Sequence, residues 1–231
     1  MGDDESGELG ELLAAVARAL DSDSVHETLQ RLVDLAAGTV PGCEHASICI
    51  VNGRKIGTPA ASDPVALRLD ALQFEVGQGP CLDALTEHQV FSSDDLATEG
   101  RWPLFSKRAN AETGMASMLG LRLFARERTW GALNLFSSQR EAFGEASIVI
   151  AALFAALAAS TINAVQSEED LRRALRSRDV IGQAKGILME RHQINDTAAF
   201  DALTRASQHL NVRLEQLAQE LVASGEEPFI A

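Results

Sequence analysis

The sequence predicts an α+β N-terminal domain, a mainly antiparallel sheet flanked by helices, followed by an all-α C-terminal domain of three helices. Three observations carry this. Strand-like runs at 46–51 and 54–58, and again at 116–125 and 129–137, are joined by short polar turns, which implies antiparallel hairpins and not a repeating βα unit. After Gly144 nothing reads as a strand. Breaks near 193–196 and near Asn211 then divide that remainder into helices. With 231 residues, 46% hydrophobic and 23% charged, the chain can bury one large core or two modest ones, and global disorder is excluded.

In chain order, 1–7 is small and acidic and reads as a disordered tail, and 8–165 as the sheet-bearing domain. Leu9, Leu12, Leu13, Val16 and Leu20 recur at helical spacing; Asp23 or Ser24 caps a second helix presenting Leu29, Leu32, Val33 and Leu35, which ends at Gly38, Pro41 and Gly42. Asn52 and Gly53 form the tight turn of the first hairpin. The 64–74 pattern is helical, the glycine-rich passage 76–81 leads into a short helix at 82–87, and 90–92 is a brief strand. Pro103 suits the first turn of a helix over 102–111, where a missing N–H costs nothing. Arg126, Glu127 and Arg128 join the second pair of strands.

A linker helix over 142–177 overlaps both domains, and 168–225 holds the three-helix domain. Val180, Ile181, Ala184, Ile187 and Leu188 line its first helix, Phe200, Leu203 and Leu210 its second, and Leu214, Leu217, Leu221 and Val222 its third, with Asp196 and Asn211 placed as N-caps. Gly182 and Gly186, one turn apart, each cost about 1 kcal/mol relative to alanine, which suggests a need for close backbone approach, by a packed helix in preference to a ligand or RNA. Along the linker, Phe154, Leu157, Thr161, Ala164, Glu168, Leu171 and Leu175 follow a heptad with only Glu168 ill-suited to a seam. A parallel homodimer is expected, because the sheet domain does not easily cover Leu171 and Leu175.

Charge and cysteine usage narrow the function. Thirty-three acidic against 20 basic side chains give a net charge of -13, so the chain as a whole repels polyanions. Between 171 and 213 the balance reverses: Arg172, Arg173, Arg176, Arg178, Lys185, Arg191, Arg205 and Arg213 outnumber Asp179, Glu190, Asp196 and Asp201, a local +4. Such segregation suits a polyanion-binding module on an acidic carrier, although a solvated helix face has the same composition. The acidic, Lys- and Arg-free start lacks a secretory signal, and three unpaired-looking cysteines fit a reducing compartment, so a cytoplasmic location is expected. The charge-free stretch 146–167 is long enough to cross a bilayer, but its alanines and acidic flanks favour a buried interdomain or dimer helix, and no membrane is expected among the partners.

Enzyme chemistry has one foothold. Cys81 follows a Gly-Gln-Gly-Pro turn at a helix N-terminus, a setting that lowers a thiol pKa and would suit a methionine sulfoxide reductase. No resolving thiol is evident, and Cys49, between Ile48 and Ile50, reads as a core residue; a structural or regulatory Cys81 is favoured. His26, His45, His88, His192 and His209 show no ligand spacing, so no metal site is expected, and neither a nucleophile elbow nor a phosphate-binding loop occurs. No catalytic residue and no particular cofactor is indicated.

The string Ser177-Arg-Asp-Val-Ile-Gly-Gln-Ala-Lys-Gly-Ile-Leu-Met-Glu190, followed by Ala199, Phe200, Ala206 and 211–218, resembles the ANTAR domain, the RNA-binding three-helix module of transcription antitermination regulators. Residues 76–84, Arg101-Trp-Pro103 and 131–137 resemble the GAF sensory domain, which precedes ANTAR in many actinobacterial proteins. The resemblance implies an RNA-hairpin-binding antitermination regulator with a small-molecule or protein input. Arg178 and Lys185 lie on one helix face and become, with Arg205, the RNA-contact candidates if the helices pack through Ile181, Leu188 and Leu203. Gln78, Cys81, Trp102, Trp130 and Asn134 become the candidates for a sensor pocket. Two other classes compete: a sensor acting through protein partners with a merely dimerising tail, and the Cys81 thiol enzyme.

Overall fold

The computed structural model describes residues 3–22, 24–52, 55–86, 90–125 and 128–226. The elements are α1 (Asp3–Leu20), α2 (Val25–Thr39), β1 (His45–Asn52), β2 (Lys55–Ala61), α3 (Pro64–Val76), α4 (Pro80–Thr86), β3 (Val90–Ser93), α5 (Pro103–Thr113), β4 (Ser117–Ala125), β5 (Arg128–Ser137), α6 (Glu145–His192), α7 (Asp196–Leu210) and α8 (Leu214–Ser224). They fall into two compact units, Met1–Val165 and Gln166–Ala231, and α6 contributes to both. Helix α1 already includes residues 3–7, read from composition as a disordered tail; that expectation is corrected. A stretch rich in Asp and Glu is compatible with a helix N-terminus.

In the first unit the sheet order is β2-β1-β5-β4-β3, with every neighbouring pair antiparallel. Gly53 and Arg54 of the expected hairpin turn, and Arg126 and Glu127 of the second connection, lie outside the described residues, as does Asp23. Ser24 is the cap of α2, its side chain accepting from the Glu27 N–H at 3.5 Å. Asp63 caps α3, accepting from Val65 and Ala66, and its other carboxylate oxygen meets His45 Nδ1 at 2.6 Å, which ties the helix start to β1.

Alternation along the strands sorts side chains to two faces. Ile48, Leu119, Leu123, Leu133 and Leu135 pack under α2 and α6, against Leu29, Leu32, Val33, Ala151, Phe154 and Ala158. On the other face Met118 and Phe136 meet Leu69, Leu72, Trp102 and Phe105 from α3 and α5. Two irregularities interrupt the pattern. Between Ile48 and Ile50 the register of β2 slips, since Ile48 faces Ala60 while Ile50 faces Gly57, and Pro59, which has no N–H to offer a ladder, sits in that bulge. In β5, Gly131 faces Leu123 but Thr129 faces Phe124, so Trp130 is the extra residue.

By length and composition α6 is apolar enough to cross a membrane, with a mean hydropathy of 2.2 in its best window. Its Ala151, Phe154, Ala158 and Ile162 are nevertheless spent on the sheet, the use of a core helix. Phe154 and Leu157, the first positions of the expected heptad seam, are thus inside or against the chain's own core.

The second unit buries Ala184, Leu188, Ala199, Leu203, Ala206, Leu217, Ala218 and Leu221. Four expectations are corrected there. Asn195, not Asp196, is the N-cap of α7: its backbone is extended and its Oδ1 accepts from the Ala198 N–H at 2.9 Å. Asn211 ends α7 in the left-handed conformation (φ 53°), which Asn tolerates, and α8 is capped by Arg213 without a side-chain bond. Phe200 and Leu210 are 43% and 40% exposed, because Ala199, Leu203 and Ala206 set the buried phase of the helix. A Cβ at Gly182 or Gly186 would meet nothing within 4 Å, so helix packing does not require these glycines.

Candidate functional site

Two sites emerge, one on the surface of the helical unit and one inside the sheet unit. On the helical surface Arg176, Arg178, Arg205 and Arg213 are exposed and, among the described residues, have no carboxylate within salt-bridge distance. The other cations are engaged: Arg172 with Glu168 at 2.6 Å, Arg173 with Asp170 at 3.6 Å, Lys185 with Asp196, and Arg191 Nη1 with the Gly225 carbonyl at 2.6 Å. Of the three predicted RNA-contact residues, Arg178 is therefore free and Lys185 is neutralised locally. Arg205 lines a groove of about 460 Å³ with Leu188, His192, Ile194, Ala202, Ala206 and His209. The structure thus gathers Arg205 with two histidines that sequence spacing gave no reason to pair. It does not place Arg178 or Lys185 in that groove.

Inside the sheet unit, beneath α3 and α4, lies a polar cluster that sequence reading missed. Asp70 is fully buried; Thr58 Oγ1 donates to its Oδ2 at 2.9 Å and Asn134 Nδ2 to its Oδ1 at 2.8 Å, with Ser47 buried in the same unit. Among the described residues it has no cationic partner, and burial pushes its carboxyl up to about 6. Gln73, one turn on, accepts the Cys81 N–H at 2.9 Å. A carboxylate and an amide one turn apart, in a helix that also buries Ala66, Leu69 and Leu72, were the available signal.

Cys81 is buried in one cluster with Cys49, Ala84 and Ala132. The neighbouring Cys49 and burial push the Cys81 thiol well above its usual range, opposite to the helix-terminus activation expected from sequence, and Cys49 is the second thiol that spacing did not reveal. Of the other pocket candidates, Asn134 shares this cluster. Gln78 Oε1 accepts the Leu104 N–H at 3.0 Å, and Trp102 Nε1 donates to Asp83 on α4 at 2.7 Å. Trp130 is corrected: simple alternation puts it beside Asn134, but the β5 bulge turns it into the opposite core, under Arg128 at 4.2 Å. Among the described residues no group of three or more His, Cys, Asp or Glu is placed to hold a metal ion.

The chain is thus a two-domain protein: an antiparallel sheet with a buried polar heart, followed by a small helical unit with a cationic surface. The GAF-domain profile matches residues 22–163 and the ANTAR-domain profile residues 169–222, so the chain belongs to the GAF family and is a GAF-ANTAR protein. No curated protein matches it. Among solved structures it is similar to the GAF domain of an Acinetobacter phosphoenolpyruvate-protein phosphotransferase (18% identity, TM-score 0.55, covering 70% of this chain and 96% of that one). It is also similar to the corresponding GAF domain from Coxiella burnetii (14%, 0.56, 70% and 96%). A third is the free methionine-R-sulfoxide reductase of Neisseria meningitidis in complex with its substrate (14%, 0.54, 68% and 89%). At these identities the likeness is one of fold.

Proposed function

We propose that this protein is a cytoplasmic transcription antitermination regulator whose GAF domain senses an input and whose ANTAR domain binds RNA hairpins. The observation that carries the reading is the coincidence of the ANTAR match with the unpaired Arg176, Arg178, Arg205 and Arg213 in a chain of net charge -13. Arginine serves both halves of RNA recognition, neutralising phosphates and stacking its guanidinium on unpaired bases. Arg178 and Arg205 are contacts available without rearrangement, and Lys185 joins them by exchanging Asp196 for a phosphate. The chain works as a homodimer that presents two modules at once, with the exposed Leu171 and Leu175 as its seam. Catalysis is not part of this reading, because a buried, protonated Cys81 is a poor nucleophile.

A gel-shift titration against structured RNA at low and high salt tests the proposal. Binding that weakens as salt rises supports it; no binding at low salt would leave the GAF domain acting through protein partners instead.

A further inference from the structure

We propose that Cys49 and Cys81 form a reversible disulfide inside the GAF domain, so that thiol oxidation is an input this sensor reads. The two residues are far apart in sequence and are brought together by construction. Cys49 sits on β1 opposite the β2 bulge, and β5 approaches it so closely at Gly131 that a Cβ there would collide with the Cys49 carbonyl. Cys81 is held from the other side, its N–H on Gln73, by a helix that packs against the sheet. The other buried members of the cluster are the small Ala84 and Ala132, and the half-buried Ile56, Phe74 and Phe91 pack against it. Cys43 is engaged elsewhere, its Sγ 3.3 Å from the His45 carbonyl, and does not belong to the pair.

The chemistry balances with a peroxide as oxidant. Peroxide oxidises the Cys81 thiol to a sulfenic acid and leaves as one water; the Cys49 thiol then displaces the second water as the S–S bond forms, two electrons and two protons having left the pair. A dithiol reductant returns both thiols. In the reduced state burial and the neighbouring thiol keep Cys81 protonated and slow to react, which suits a reducing compartment. Access comes through α4, which follows Gly77 and Gly79, both at positive φ (65° and 146°). The bond shortens a thiol–thiol contact to about 2.05 Å and so displaces α4 relative to β1. Asp83, two residues beyond Cys81 on the same helix, carries that displacement to the Trp102 indole.

The test uses the full chain, hydrogen peroxide as the probe, alkylation of residual thiols and peptide mass mapping. The expected product is lighter by two hydrogens, maps to a Cys49–Cys81 peptide, reverts with dithiothreitol, persists in Cys43→Ser and is absent in Cys49→Ala. Trp102 emission shifts with oxidation, read in a Trp130→Phe background. The wild-type map stands even if a core cysteine variant fails to fold. No bridge, a bridge through Cys43, or a sulfinic acid on Cys81 in its place overturns the proposal. The inference rests on the GAF domain being the sensor; a bridge that forms without any change at Trp102 overturns the input role while leaving the RNA-binding reading intact.

Discussion

The GAF and ANTAR domains dispose of their polar groups in opposite ways. The GAF domain buries Ser47, Asp70, Gln73 and Asn134 with two thiols, beneath helices that close over them. Among its described residues the ANTAR domain buries Ala and Leu at its centre and leaves its charge outside, with Arg176, Arg178, Arg205 and Arg213 in no salt bridge. The first arrangement is costly and responsive, since a buried carboxylate or thiol changes state only if the structure around it changes. The second is nearly inert inside and leaves its surface free for a polyanion. An input inside one domain and an output outside the other is what the contrast teaches.

The largest expected effect tests the interior. Burial raises Asp70 to about 6 against about 3.9 for an unfolded aspartate, so this group stabilises the fold fully below about pH 4, and its contribution is lost as pH rises to about 6. Asp70→Asn removes that loss and raises GAF-domain stability at pH 7 by roughly 3 kcal/mol, about two pKa units at 1.36 kcal/mol each. The Asn134 Oδ1, buried without a partner, can turn to accept from the new amide. Urea midpoints of variant and parent should diverge at pH 7 and converge toward pH 4; a gap independent of pH would break the comparison.

The next effect concerns the apolar exception on the outside. Leu171 and Leu175 are 60% and 52% exposed, and covering them in a dimer is worth on the order of 2 kcal/mol in all. Leu171→Glu with Leu175→Glu should therefore raise the dimer dissociation constant by more than tenfold in light scattering or sedimentation; a monomeric parent removes the seam.

Smaller again is the cap of α7. Asn195→Ala should cost about 1 kcal/mol of ANTAR-domain stability and Asp196→Ala less, measured by thermal melting, because only Asn195 accepts the helix N–H. The smallest effect separates free from paired cations. Arg178→Ala should lower the salt slope of hairpin binding by about 0.7 to 0.9, while Lys185→Ala should lower it less, since Asp196 already neutralises that ammonium. Equal slopes for the two variants would erase the distinction between paired and unpaired charge.

What the sequence made legible was local. Alternation gave the strands, turn residues the hairpins, and the run from Ser177 to Glu190 the output domain, because each signal is complete within a few residues. What it hid depended on registry and closure. Trp130 changes face because one residue is inserted opposite β4, and alternation cannot count an insertion made by pairing. Cys49 and Cys81 meet only once β1, α3 and α4 are assembled, and Asp70 joins them by the same route. Phe200 misled because its size outweighed the phase set by Ala199 and Ala206. Asn195 and Asp196 are adjacent candidates for one cap, and backbone geometry alone chooses between them.

The two borders of the sheet have a bearing on how this protein survives crowding. At one border β2 carries Pro59 within a slipped register, and at the other β3 is only four residues long. A neighbouring polypeptide that tried to extend the sheet would meet a missing donor on one side and too short a template on the other. Open-ended stacking of copies, the first step toward fibrous precipitate, is thereby discouraged, and helix faces are left as the surfaces through which copies can join in a closed and countable way.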